Sequence, residues 1–392
     1  MAIKRNVSMK LCEAEYEELA SSLPGPLRGA LEAALEGRDL GREQGIRVAE
    51  ARGPELVAVA AVADRLRRQT VGEDVSYVVN RNINFTNICI IGCTFCCFGK
   101  SVHAPDTYWH SLDTVADKAE EAWQLGATEV CMQGGLPPEL DGNYYRQLLE
   151  AIKRRVPDMH IHAFSPMEVA YGVERSGLPL RDFLRSLRDA GLGSLPGTAA
   201  EILDDRVRAI ISRIKLTRDQ WVEVITTAHE LGIPTTSTMM YGHIEEPANW
   251  VDHLLLLRSI QNSTGGFTEF VPLGFIHEKT PLFRSGQARP GSTVEEDVAV
   301  HALARILLNN SIPNLQLAWV KLGWEVSRLC LQAGANDCGG TLMEENISGA
   351  SGEIEASCAT AEQLQAFILS AGRSPVERST GYRVLRRFEA VA

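Results

Sequence analysis

The sequence predicts an α/β protein, a TIM-type (β/α)8 barrel with an N-terminal helical extension. Three observations predict it. From Val75 onward, strand-like runs alternate with amphipathic helical runs. Glycine stops several of the helical runs, at Gly126, Gly191, Gly232 and Gly334. Eight such units fit into roughly 290 residues, the size of one barrel. An open doubly wound sheet is the alternative, although it would have fewer strands. Residues 1–74 are the expected extension, and 75–392 the expected barrel with a helical closure at its C-terminus.

In order, residues 1 to about 75 read as short helices broken at Gly25-Pro26 and Gly53-Pro54. The stretch 56–70 is rich in Ala and Val and ends in Arg65-Leu66-Arg67-Arg68, which suits a solvated helix C-terminus. The β-branched and aromatic run 83–86 is expected as the first strand. Helix 112–125 leads to strand 129–133, helix 144–156 to 159–164, and helix 179–190 to 193–195. Two helices follow, the second opened by the capping box Thr217 to Gln220, before strand 235–240. Helix 250–261 leads to strand 267–273. A helix opened by Ser292 to Glu295 and running to Asn309 leads to 315–317, and helix 324–333 leads to 335–338. Helix 361–371 closes the series.

In such a barrel, function gathers at the C-terminal ends of the strands and in the loops that follow them. The loop after the first strand carries Cys89, Cys93 and Cys96, a C-x3-C-x2-C spacing. Four cysteines hold an ordinary electron-transfer cluster. Three would hold three corners of an iron–sulfur cluster and leave one iron open to a ligand. Positions i, i+4 and i+7 also share a helix face, so three buried core cysteines are a second reading; Gly92 and the β-branched flank argue against it. Zinc with His103 as fourth ligand is a third. Cys97 is expected to pack beside the site.

The second strand ends in Gln133-Gly134-Gly135, where two glycines would let backbone approach a ligand closely. The third ends His160 to Glu168 and includes Ser165; the fourth continues to Glu201. A carboxylate beside Ser or Thr at a strand end suits a ribose diol or an ammonium, and equally a helix cap. From the fifth, sixth and eighth units, Tyr241, His243, Glu269, His277 and Asn336 are expected to converge on the mouth. A polar substrate would there supply the partners that buried polar groups need. Asn84, in the Asn-rich first strand, joins them as a substrate contact.

Apolar residues at 45% and charged residues at 23% are those of a soluble globular protein. No run approaches the roughly 18 apolar residues of a membrane span, and the N-terminus lacks a signal-peptide core. A net charge of −11 argues against a nucleic-acid backbone as partner. Nine cysteines, an odd number with three claimed by one loop, favour a reducing cytoplasm over a disulfide framework.

The cysteine spacing resembles that of the radical S-adenosylmethionine (SAM) enzymes. The phrases Asn80 to Asn87, His160 to Glu168, Met240-Tyr241-Gly242-His243 and Asn336 to Thr341 resemble the tyrosine-attaching subunit of FO synthase, from about Leu27 to the C-terminus. The resemblance implies a [4Fe–4S] cluster on the three cysteines, its open iron chelated by SAM, whose cleavage yields a 5′-deoxyadenosyl radical. It places Phe95 against the adenine, Gln133-Gly134-Gly135 along the methionine part, and Ser165, Glu168 and Glu201 around the ribose. It implies a transferase that abstracts hydrogen from L-tyrosine, most plausibly from the amine. Cα–Cβ scission would then release a 4-hydroxybenzyl radical, which adds to the uracil ring of 5-amino-6-(D-ribitylamino)uracil. The implied partners are the cyclising subunit of FO synthase and an electron donor such as flavodoxin or ferredoxin. Cys97 departs from the Gly or Ala of the family pattern and would crowd the adenine pocket. A radical SAM enzyme of the futalosine route to menaquinone is the nearest alternative; a non-enzymatic iron–sulfur or zinc protein is the alternative from another class.

Overall fold

The computed structural model describes residues 13–352, 354 and 356–388. β1 (Asp74–Val78) and β2 (Asn80–Ile83) run on from one another with only Val79 between them and form the first stave of a closed barrel. Asn80 pairs with Glu129 in β3 (Glu129–Met132), and Glu129 with His160 in β4 (His160–Ala163). His162 then pairs with Ser194, and Leu195 with Thr235 of β5 (Thr235–Tyr241). β5 pairs with β6 (Phe267–Gly274), Phe270 of β6 with Leu315, and Gln316 with Asp337 of β7 (Asp337–Gly340). Asp337 returns to Ser76 of β1 and closes the ring. Every one of these pairings is parallel. The barrel is therefore the one the alternation predicts, and the open sheet is excluded.

Several predicted boundaries move: helix 324–333 begins at Trp319 and strand 335–338 runs Asp337–Gly340, and two further shifts have a clear cause. The first stave ends at Ile83, and residues 84–86, read as strand for their aromatic and β-branched character, already leave the ladder. The real stave reads Asn80-Arg81-Asn82: the two asparagines meet Glu129 and Glu345 inside the barrel while Arg81 reaches out to Glu121, so strand propensity alone misses it. The helix Val294–Leu308 is capped one residue later than expected: Thr293 accepts from the Glu296 N–H. Ser292 instead donates to Asp297 Oδ1 at 2.6 Å.

The helices Gly25–Leu35, Arg42–Ala49 and Pro54–Val71 share one apolar cluster with the outside of the barrel, Leu31 and Val59 lying with Val251 and Leu303. A Cβ on Gly45 would sit 2.8 Å from Val251 Cγ1, so this contact needs glycine. The described part of the extension has no core of its own.

One element was not anticipated. Beyond helix Ala361–Ser370, β8 (Ser374–Arg378) pairs parallel with β1, and β9 (Val384–Arg387) turns back antiparallel on β8. This hairpin carries three side chains into the N-terminal pole of the barrel. Arg378 donates to Asp337 through Nε at 2.5 Å and Nη2 at 2.9 Å, and reaches Glu269 Oε2 at 3.3 Å. Its guanidinium lies 4.0 Å over the Tyr382 ring, whose hydroxyl donates to Glu269. Thr380 Oγ1 donates to Glu129 at 2.7 Å, and Asn80 Nδ2 to the other oxygen at 2.8 Å. Glu129 and Asp337 are the first residues of their strands, which fixes the pole. Three buried carboxylates are tolerable here because an arginine fork and hydroxyls meet them.

Candidate active site

At the opposite pole, where the strands end, a cavity of about 360 Å³ opens. Its wall begins with the cysteine loop. Asn87 pins the base of that loop, its Nδ2 donating to Asp106 O at 2.9 Å and its Oδ1 accepting from Tyr108 N at 2.9 Å. Cys89 N donates to Lys100 O at 2.9 Å and Lys100 N to Asn87 O at 2.7 Å. Gly92, at φ 63°, takes the left-handed turn between the first two cysteines. Thr94 ties the far side of the loop: its N–H donates to Ile211 O at 3.0 Å, and its carbonyl accepts from Leu282 N at 2.8 Å.

Residues 89–100 form no helix, which removes the helix-face reading. Cys89, Cys93 and Cys96 are half-buried free thiols that line the one cavity. Among the described residues, no three His, Cys, Asp or Glu side chains gather closely enough for a single metal ion, and His103 is exposed outside the cavity wall. Cys97 does not line the cavity; its thiol, raised by burial, bonds to Ser351.

Lys215 is the cation of this corner. Its Nζ donates to Glu201 Oε1 at 2.7 Å and stands 5.2 Å over the Phe95 ring. Burial pushes the Cys93 thiol up to about 12, against the opposing pull of Lys215. The lysine would offset the negative charge of thiolates gathered here. Glu201, at φ 42°, and Ala199, at φ 62°, hold left-handed backbone. Arg208 fixes them, bonding Ala199 O at 3.1 Å and Glu201 Oε2 at 3.4 Å. Glu201 is thus held by two cations and caps no helix.

The strip Gln133-Gly134-Gly135 lines the cavity, and its glycines are required by the protein's own packing as well. A Cβ on Gly134 would lie 2.5 Å from the Phe85 ring, and one on Gly135 only 2.1 Å from Ile88 O. Both glycines admit the protein's own first loop. Glu168 combines the two roles left open for it. It forms the capping box of helix Pro166–Ser176 with Ser165, accepting the Ser165 N–H and hydroxyl at 2.7 Å each, and its other oxygen accepts Gly134 N at 3.0 Å. It also lines the cavity with Ser165, and burial raises its carboxyl to about 7. Asn84 lines the wall too, donating to Gln133 O at 3.0 Å.

The other five residues expected at the mouth are placed elsewhere. Thr238 and Met240 line the cavity, so Tyr241, one residue on in an extended strand, faces outward and donates to Asp297 Oδ1 at 2.7 Å. His243 is buried in the following turn, Nε2 bonded to Met240 O at 3.0 Å. Glu269 belongs to the opposite pole with Arg378, and its burial there holds its carboxyl above the ordinary range. Asn336 precedes β7 and accepts from Arg305 at 2.6 Å and Leu315 N at 2.8 Å. His277 packs edge-on against Phe283, centroids 4.5 Å apart.

Sequence reasoning missed Lys215, Lys321 and Glu345, all in the cavity wall. The strand-end rule, applied to the seventh and eighth units, would have found the last two. Leu342 and Met343, at φ 62° and 49°, turn the chain back over the mouth just before Glu345, with Asn82 N donating to Leu342 O at 2.8 Å.

Residues 83–257 match the model of the radical SAM superfamily, and residues 264–391 that of the CofH/MqnC C-terminal region. A 5-amino-6-(D-ribitylamino)uracil--L-tyrosine 4-hydroxyphenyl transferase of Methanopyrus kandleri is 51% identical over 328 residues, covering 84% of this chain and 89% of its own. The chain belongs to the radical SAM superfamily. Within it, it belongs to the family of the Methanopyrus transferase. An FO synthase of Nocardia farcinica is 54% identical over 89% of this chain, but the match spans only 40% of that protein's length. In fold, this radical SAM barrel superposes on methylornithine synthase with a TM-score of 0.70 at 17% identity, covering 88% of this chain and 97% of the other. Its cofactors are a [4Fe–4S] cluster and SAM. The three free thiols on one wall, beside a lysine that offsets their charge, fit that cluster. Among the described residues, no helix is long and apolar enough to cross a membrane.

Proposed function

We propose that this chain cleaves L-tyrosine and transfers its 4-hydroxybenzyl group to 5-amino-6-(D-ribitylamino)uracil, a step toward a deazaflavin. The observation that carries the reading is the likeness to the Methanopyrus transferase along nearly the whole of both chains. When bound, the cluster and SAM supply a 5′-deoxyadenosyl radical. Cys89, Cys93 and Cys96 would hold three corners of the cluster, and Phe95 would face the adenine. Gln133, Gly134 and Gly135 would run along the methionine part, with Ser165, Glu168 and Glu201 toward the ribose. Glu201 and Glu168 are fixed by Lys215 and by Ser165 and Gly134, so they would present their remaining lone pairs without rearranging.

Asn84, at the strand end facing the same cavity, is assigned to the substrate. Phe98, Phe275 and Ile276 contribute apolar surface to the cavity wall, which suits a reaction from which water must be kept. A second protein carrying the cyclising activity and a flavodoxin or ferredoxin as reductant are the expected partners. The cytoplasm is the expected setting, since a cavity lined by free thiols needs reducing conditions.

The test is product analysis. Reconstituted, reduced protein should form an adduct of the uracil and the 4-hydroxybenzyl group only when both substrates are present. A futalosine-type product, or no adduct with both present, would assign the chain to other chemistry.

A further inference from the structure

Two charged residues of the cavity wall, Lys321 and Glu345, have been given no role so far, and Lys321 lies within electrostatic reach of Cys96. Lys321 sits on the turn that follows the 315–317 stave. Gly323, at φ 69° and ψ 168°, breaks helix Trp319–Leu331 two residues later, so the turn is set apart from the helix proper. Trp319 anchors it, donating from Nε1 to Gly340 O at 3.2 Å and stacking on Trp324 with centroids 4.9 Å apart. Glu345 sits on the loop after the neighbouring stave, β7. Its carboxylate is fixed by Asn82 Nδ2 at 2.8 Å and Ser348 N at 2.7 Å, which leaves each oxygen a free lone pair.

The wall holds two cations, Lys215 and Lys321. Lys215 is bound to Glu201 at 2.7 Å, whereas Lys321 makes no ion pair with any described residue. Burial works against the charge of Lys321, and Glu345 and, more weakly, Cys96 only partly oppose it. A half-buried ammonium without a partner is costly, and a ligand anion would relieve that cost. On loops after neighbouring staves of one wall, an unpaired cation and a fixed carboxylate match a ligand that carries an ammonium and a carboxylate on one carbon.

We propose that Lys321 and Glu345 clamp the zwitterionic head of the amino-acid substrate, Lys321 taking its carboxylate and Glu345 its ammonium. This deepens the reading above and rests on it, since it takes that substrate to be L-tyrosine. The competing occupant is the amino-acid head of SAM.

Calorimetric titration of the iron-replete protein separates these. The probes are L-tyrosine, tyramine (no carboxylate), 3-(4-hydroxyphenyl)propanoate (no ammonium) and SAM. Wild type should prefer tyrosine to both analogues. Lys321→Gln should weaken tyrosine by about 10- to 100-fold while leaving tyramine unchanged, and Lys321→Arg should restore most of the loss. Glu345→Gln should weaken tyrosine but not the propanoate. SAM affinity should stay within about twofold in all three variants; unchanged tyramine binding shows that Lys321→Gln is folded. Undiminished tyrosine affinity in Lys321→Gln, or a loss of SAM affinity in its place, overturns the clamp alone. Failure of the wild type to bind tyrosine overturns the proposed function and the clamp with it.

Discussion

At the N-terminal pole of the barrel, Arg378 is clamped by Asp337 and Glu269 and covered by Tyr382; at the C-terminal pole, Lys321 and Glu345 face one cavity with no ion pair between them. Both poles bury charge in the same fold, among the same staves. The difference lies in what closes each pole. The hairpin Ser374–Arg378 and Val384–Arg387 supplies a partner for every carboxylate below. Above, the loop holds Glu345 from behind through Asn82 and Ser348 and leaves Lys321 without an ion pair, both on the cavity wall. A charge matched within the chain adds to the fold, and a charge left open at a preformed wall awaits a ligand.

The comparison breaks most visibly at Arg378. Arg378→Ala leaves Asp337 and Glu269 buried without their cation, and should destabilise the protein by about 3–5 kcal/mol in urea unfolding. A loss below about 1 kcal/mol would mean the lower pole is not held by this pair.

The next effect is on pH dependence at the mouth. Burial raises Glu168 from 4.5 to about 7, so the folded state binds that proton more tightly than the unfolded state. The contribution is therefore full below about 4.5 and is lost as pH rises through about 7. Relative to Glu168→Gln, wild-type stability should fall by on the order of 2 kcal/mol across that window. Parallel stability profiles for the two proteins would show that Glu168 does not titrate there.

Gly134→Ala should cost about 1–3 kcal/mol through the Phe85 ring, measurable as a lowered thermal midpoint. If instead stability held while SAM affinity fell, the glycine would answer to the ligand rather than to the loop. The smallest loss belongs to Lys321→Gln, expected to leave stability unchanged or slightly raised, since no pair is broken and a costly unpartnered ammonium is removed. A loss comparable to that of Arg378→Ala would erase the distinction between the poles.

How far the sequence could be read follows the same division. The barrel and most of its staves were readable because the alternation and the helix-ending glycines are local signals; the first stave was misplaced because its residues are polar. The cofactor side was readable because its residues lie within a few positions of a strand end, as Gln133-Gly134-Gly135 and Ser165 to Glu168 do. On the substrate side only Asn84 reached the cavity. Tyr241 failed by strand parity, one residue from Met240. Asn336 and Glu269 failed by strand direction, lying toward the N-terminal ends, where composition alone does not tell bottom from top. The closing hairpin was unreadable because Pro375, Glu377 and Arg378 make it look like polar coil, and only the three carboxylates inside the barrel explain them.

The central claim is that the mouth holds a cluster with an iron open to SAM. EPR spectroscopy of the reduced, iron-reconstituted protein, before and after adding SAM, tests it most directly. The account predicts a [4Fe–4S] signal that changes with SAM, is lost in Cys89→Ala, Cys93→Ala and Cys96→Ala, and survives in Cys97→Ala. A cluster signal indifferent to SAM, or one that disappears in Cys97→Ala alone, would contradict it.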